Sequence, residues 1–138
     1  MLDTWTQTIV TTDAALRVIA TALAEGAKAG VKVSATVVDP AMGLVAFARA
    51  DGATPHSVET SRRKANTAAS TRRPSGWISS ELELMLPIAA GNLLTNVTGG
   101  VPLVFDGEPA GGLGIAGGTP AQDAEIAVAT LDALGLAQ

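Results

Sequence analysis

The dipeptide Asp106-Gly107 restricts the fold of this chain more than any other sequence feature. It separates two segments with the composition of β-strands, Val101–Phe105 and Glu108–Ala116. A two-residue type I′ turn requires positive φ at both central positions, and Asp-Gly is one of the few pairs that adopts it readily. Because so short a turn joins only antiparallel strands, the dipeptide predicts a β-hairpin.

Three further segments have strand patterns. Val33–Asp39 and Leu44–Arg49 flank a short turn at residues 40–43, and Leu93–Val97 precedes the C-terminal hairpin. In the first of these, side chains at alternate positions face opposite sides of a strand. With the hairpin strands, these segments predict one antiparallel sheet of about five strands.

Helical patterns alternate with the strands along the chain. The predicted helices are residues 12–29, a helix capped by Thr54 with Pro55 at its first position, the short segment Glu81–Leu86 before Pro87, and a last helix that begins at the capping box of Thr119 and Gln122. This order predicts an α+β fold in which helices flank one antiparallel sheet. By length, residues 1–138 are expected to form a single domain.

The composition predicts a thin core. Much of the 47% apolar content is Ala, and 15 residues are Gly, so each buried residue contributes little apolar area. We therefore expect a homo-oligomer in which contacts between subunits supply part of the stability.

Charge and composition exclude several classes of function. The formal net charge is −4, which argues against nucleic acid or an anionic membrane as a general partner. There is no Cys, which excludes disulfides, thiolate metal sites and cysteine nucleophiles. No apolar run reaches membrane-spanning length, and the N-terminus lacks the pattern of a secretion signal. A cytoplasmic location is therefore expected.

Four ionisable residues lie near a predicted strand end or on the helix that follows. They are Asp39, Arg49, Asp51 and Lys64. The small Ala and Thr neighbours of Lys64 would partly desolvate its amine and lower its pKa, which suits proton transfer or carboxylate binding. A structural ion pair between Lys64 and either Asp39 or Asp51 is an equally open alternative.

The basic residues are unevenly distributed. Five of the nine fall at positions 62–64 and 72–73. In an acidic protein this local cluster is compatible with an anionic ligand. For its four arginines, a solvated helix face is the preferred interpretation.

His56 is the only histidine. Its position near a helix start favours a surface or capping role over that of an iron ligand or a catalytic group. No second His, Cys or Tyr exists to complete a metal site, so we predict no protein-only metal centre.

The glycine-rich run at residues 111–118 lacks both the Walker spacing and the dinucleotide fingerprint. Close packing of the strand is the preferred explanation for these glycines. Gly117 and Gly118 also precede the last helix, and together with its N-terminus they are suited to hold a carboxylate.

Five segments in register resemble the GlcG/HbpS-like family, also called the haem-degrading domain family, which includes the C-terminal domain of PduO-type proteins. The segments are VVDPAMG, ARADGA, RRKANTA, GGVPLVFDGEPAGGLGIAGG and QDAEIA. The resemblance extends from about Leu16 to Leu134 and implies a profilin-like α+β fold. It also implies self-assembly into dimers or larger rings such as octamers, and haem- or corrinoid-linked roles in some members.

The family pattern includes the four ionisable residues selected above and adds Thr67 on the second helix. Among these positions and their neighbours, His56 and Thr67 are the candidates for the iron side of a haem. Pro109 departs from the pattern because it stands where the family has an apolar strand residue.

Two functions from different classes remain open on the sequence. The first is a small-molecule-binding protein with an oligomer-dependent pocket for haem or another flat organic anion. The second is a cofactor-free isomerase or lyase acting on a small organic acid, in which Arg49 or Lys64 binds the carboxylate and Asp39, Asp51 or His56 moves the proton. A purely structural or regulatory partner is a third interpretation.

Overall fold

The computed structural model describes residues 1–138 and contains four helices and four strands. In chain order the elements are α1 (Thr12–Lys28), β1 (Ser34–Val38), β2 (Leu44–Arg49), α2 (Ser57–Thr71), α3 (Met85–Ala89), β3 (Gly100–Phe105), β4 (Glu108–Ala116) and α4 (Pro120–Ala133). The four strands form one antiparallel sheet in the order β2-β1-β4-β3. The predicted α+β class is confirmed, with four strands instead of the predicted five. No helix is long and apolar enough to cross a membrane.

The hairpin at Asp106-Gly107 forms as predicted. Asp106 has φ of 51° and Gly107 has φ of 79°, and β3 and β4 pair antiparallel on either side of them. The last helix also begins as predicted. The Thr119 side chain accepts a bond from the Gln122 N–H, and the Gln122 side chain accepts one from the Thr119 N–H.

The predicted strand at Leu93–Val97 is wrong, because this segment bonds to side chains of α2 instead of to a strand. Asn66 Nδ2 donates to the Leu93 carbonyl at 3.0 Å, and the Thr95 N–H donates to Thr67 Oγ1 at 2.9 Å. With these backbone groups satisfied by side chains, the segment has no need of a neighbouring strand.

Three predicted helix boundaries are also wrong. The second helix begins at Ser57, because a turn in which the Ser57 N–H donates to the Thr54 carbonyl precedes it. The third helix begins at Met85 instead of Glu81, and it contains Pro87 instead of ending before it. Pro87 lies in the first turn, where a backbone N–H has no acceptor within the helix and its loss costs nothing.

The two faces of the sheet are covered differently. Helices α1 and α4 pack on one face and enclose the main apolar core, which takes Ala35, Val37, Leu113 and Ile115 from the sheet. Helix α2 packs on the other face, across β1, β4 and β3. The candidate site lies on this second face.

Candidate functional site

Helix α2 lies in direct contact with the backbone of the sheet. Gly112 and Gly114 on β4 face it, and a Cβ on either would overlap the backbone of α2, at Ala65 and Ser61 respectively. Gly100 on β3 makes the same close approach to the carbonyl group of Lys64. Only residues without a side chain permit such contact, so the glycine-rich run serves to seat α2.

Because α2 sits so close, its polar side chains are buried against β1. The hydroxyls of Ser34 and Ser57 are 2.8 Å apart, and those of Thr36 and Ser61 are 2.7 Å apart. Each α2 hydroxyl donates its own proton to a carbonyl of its helix or of the preceding turn. The β1 hydroxyl is therefore the donor in each pair.

Lys64 is the most deeply buried ionisable residue on this face, with only 1% of its surface exposed. Its Nζ donates to Asp123 Oδ2 at 2.9 Å and to the Ile115 carbonyl at 2.8 Å. Burial lowers the pKa of Lys64 below its ordinary value of 10.5, and the hydrogen bond and charge of Asp123 partly oppose that shift. The predicted ion pair with Asp39 or Asp51 is wrong, since the partner is Asp123.

Asp123 stands in the first turn of α4 and is 2% exposed. Its Oδ2 accepts from Lys64, and its Oδ1 accepts from the Gly118 N–H at 2.9 Å. The carboxylate bound by the Gly118 N–H in this structure is therefore that of Asp123, a residue of the chain itself. Sequence reasoning missed Asp123, because an acidic residue in a first helical turn is already explained by the helix dipole.

A cavity of about 360 Å³ opens beside this ion pair, between the N-terminal ends of α2 and α4. Few of its lining residues are apolar. They are Thr54, His56, Ser57, Thr60, Lys64, Val97, Ala116, Gly117, Gly118, Pro120 and Asp123.

At least two N–H donors of the residues that line this cavity lack an acceptor within the chain. The Gly117 N–H makes no hydrogen bond, and a protonated Lys64 amine has three hydrogens for its two acceptors. The positive ends of two helix dipoles also border the cavity. Its chemistry therefore favours a ligand that is an acceptor of hydrogen bonds and carries negative charge.

The other predicted site residues are dispersed. Asp39 closes the β1–β2 turn, where its Oδ1 accepts from the N–H groups of Ala41 at 2.8 Å and Gly43 at 2.9 Å. Arg49 and Asp51 are exposed and do not line the cavity.

The two candidate haem contacts also lie apart. His56 is exposed at the cavity rim and is the N-cap residue of α2, although its side chain makes no capping bond. Thr67 is fully buried, and its hydroxyl is engaged by the Arg63 and Thr95 backbone.

Comparison with known proteins identifies the family. Residues 10–132 match the family model described as haem degrading protein HbpS-like. The chain is 35% identical to Protein GlcG of Escherichia coli K12 over 111 residues, which cover 80% of this chain and 83% of GlcG. The chain belongs to the HbpS-like family. This confirms the resemblance found in the sequence.

Several solved structures share the whole fold. Protein ORFY of Klebsiella pneumoniae superposes with a TM-score of 0.90 at 25% identity, covering 100% of this chain and 99% of ORFY. A double mutant of HbpS from Streptomyces reticuli gives 0.84 at 30% identity, covering 96% and 92%. PduOC, solved as a haem complex, gives 0.84 at 25% identity, covering 95% and 100%.

The description of the HbpS-like family names haem, and a haem site would need both room for the macrocycle and an iron ligand. The cavity of about 360 Å³ is polar and small for a ligand pocket, so a tetrapyrrole does not fit inside it within one copy. His56 on the rim carries the chain's one imidazole, a common ligand of haem iron. Any haem would lie outside the cavity.

Proposed function

We propose that this protein binds a small organic anion in the cavity between the N-terminal ends of α2 and α4. The observation that carries the proposal is the pair of cavity donors without an acceptor, the Gly117 N–H and the third hydrogen of Lys64. A buried donor without a partner, such as the third hydrogen of Lys64, costs free energy, and a carboxylate would accept from it and from the half-buried Gly117 N–H. The ion pair with Asp123 cancels the charge of Lys64, so the two helix dipoles supply the remaining attraction for an anion.

The pocket is proposed to depend on the oligomer. Val97 lines the cavity and is 40% exposed. It ends a segment in which large apolar side chains face outward, among them Trp77, Leu84, Met85, Ile88 and Leu93. None of the residues of α3 is buried. A second copy covering this segment would bury these side chains and narrow the mouth of the cavity.

The alternative is a cofactor-free enzyme performing acid–base chemistry on the same class of ligand. It is favoured by the position of Lys64, whose lowered pKa makes the neutral amine more accessible as a base. In this alternative Asp123 holds the lysine, in place of the ion pair with Asp39 or Asp51 that was considered from the sequence. His56 on the rim is the second group able to move a proton.

Haem binding is a second candidate function, favoured by the family description and by the haem complex of PduOC. Here the macrocycle would lie against the outward-facing apolar segment at residues 77–97, with His56 as the iron ligand. This arrangement also needs a second copy to cover the exposed side of the macrocycle.

Thermal unfolding in the presence of a panel of small carboxylates tests the anion proposal. A ligand at 100 times its Kd stabilises a protein by about 2.7 kcal/mol, so a true ligand raises the melting temperature in proportion to log concentration. Thr60→Phe places a ring on a residue that lines the cavity, keeps both members of the ion pair, and should abolish the shift. Arg62→Phe on an exposed position of the same helix is the matched control. A shift that survives in Thr60→Phe would place the ligand elsewhere.

A haem titration followed at the Soret band tests the second candidate. His56→Ala should abolish the shifted band if His56 ligates the iron. Thr67→Ala should leave it unchanged, since Thr67 is fully buried. Equal binding by the wild type and His56→Ala would mean that haem association is non-specific.

A further inference from the structure

The hydrogen bonds of Lys64 leave one tetrahedral position of its nitrogen free. The nitrogen carries Cε and directs hydrogens at the Ile115 carbonyl and at Asp123 Oδ2. In the charged amine the fourth position is a third N–H, and in the neutral amine it is the lone pair. A lysine held in this way can donate to an anion in one protonation state and attack an electrophile in the other.

The surroundings of that nitrogen are tightly packed on the side of Gly99, where a Cβ would lie 2.9 Å from Lys64 Nζ and 3.0 Å from Asp123 Cβ. Lys64 also lines the cavity despite its deep burial. A small ligand in the cavity can therefore approach the amine.

We propose that Lys64 forms an imine with the carbonyl carbon of a small 2-oxo acid bound in the cavity. The inference rests on the proposed function, because the carboxylate of the same molecule would accept from the Gly117 N–H. The amine lone pair attacks the carbonyl carbon and forms the C–N bond. Both amine hydrogens then leave with the carbonyl oxygen as water, giving C=N, and one added proton gives the iminium.

Asp123 suits the iminium as well as it suits the free amine. The iminium keeps one N–H, which can donate to Asp123 Oδ2, and its positive charge faces a carboxylate that is already buried beside it. Burial also lowers the pKa of Lys64, so the neutral amine is available at a lower pH than for an ordinary lysine. The amine of Lys28 is in a different setting, since that side chain is 72% exposed.

Reductive trapping tests the proposal on the wild-type chain. Incubation with pyruvate and sodium cyanoborohydride converts an imine to a stable secondary amine, which peptide mass spectrometry locates. The chain has three lysines, Lys28, Lys32 and Lys64, so the sites are easily distinguished. We expect Lys64 to be modified at least about tenfold faster than the other two. Modification confined to Lys28, Lys32 and the terminal amine would overturn the proposal.

Variants and a reduced analogue separate this inference from the anion proposal. Asp123→Asn should slow trapping at Lys64 and leave trapping at Lys28 unchanged. Lactate has the carboxylate of pyruvate but no carbonyl. If lactate and pyruvate raise the melting temperature equally, Thr60→Phe abolishes both shifts and no Lys64 adduct forms, the anion site stands and the imine is wrong. If neither compound shifts the melting temperature and no adduct forms, both proposals fail for this class of ligand.

Discussion

The two faces of the sheet are buried by different kinds of contact. Toward α1 and α4, the strands present aliphatic side chains such as Val37, Leu103 and Leu113, all fully buried in one apolar core. Toward α2 they present hydroxyls and bare glycine backbone, and the apolar cluster there contains only Val38, Ala65 and Ala69. The first face gains stability from apolar area, at about 25 cal/mol for each Å² buried.

The α2 face gains much less stability from buried apolar area. Its contacts are instead the backbone of α2 against the sheet, two hydroxyl pairs and one buried ion pair. Such contacts are directional, so they position groups more narrowly than apolar contacts do. One face of the sheet therefore supplies most of the stability of the fold, and the other determines the geometry of the cavity.

Disrupting the close contact between α2 and the sheet should cause the largest loss of stability. Gly114→Ala would place a Cβ in overlap with the Ser61 carbonyl. We expect a loss of more than about 3 kcal/mol in the free energy of unfolding, or failure to fold. Gly107→Ala has open space around the added Cβ at φ of 79° and should cost only about 1 kcal/mol. Equal denaturation midpoints for the two variants would contradict contact between α2 and the sheet.

Breaking the ion pair between Lys64 and Asp123 should cause the next largest loss of stability. Lys64→Met keeps the apolar stem but leaves the buried Asp123 carboxylate without its counter-charge, which costs about 3–5 kcal/mol. Adding Asp123→Leu should recover much of that loss, because no uncompensated charge remains. Lys28→Met, which breaks an exposed pair with Glu25, should change stability by less than about 0.5 kcal/mol. Urea denaturation of these three variants beside the wild type measures the losses, and a fully stable Lys64→Met would mean that the pair contributes nothing to the fold.

Replacing an apolar side chain by a polar one on the first face, and the reverse on the α2 face, should give the smallest losses of stability. Thr36 and Val37 are neighbours on β1 that point to opposite faces, and both are fully buried. Val37→Thr buries a hydroxyl among aliphatic groups and should cost about 2 kcal/mol. Thr36→Val removes the donor to Ser61 and should cost about 1 kcal/mol. The reverse order of costs would show that the two faces do not differ in the way described.

Local features of the sequence predicted much of the fold. The Asp106-Gly107 turn and the capping box at Thr119 depend on residues within a few positions of each other, and both form as predicted. The family, too, was recognised from short segments in register. The errors arose where distant groups compete for the backbone. Residues 93–97 have strand composition, yet the side chains of α2 satisfy their backbone groups.

In the candidate site, too, local features could be predicted from the sequence and contacts between distant residues could not. From the sequence, Lys64 could be selected as a buried amine because its neighbours on α2 are small, and that local inference agrees with its burial. The identity of its partner could not be inferred, since Asp123 is 59 residues away and four other aspartates lie nearer in the chain. The approach of α2 to β4 and the placement of α4 beside it bring Lys64 and Asp123 together. Contacts between residues close in the chain follow from local geometry, whereas this pair exists only because docking of the helices and strands closes a long loop around it.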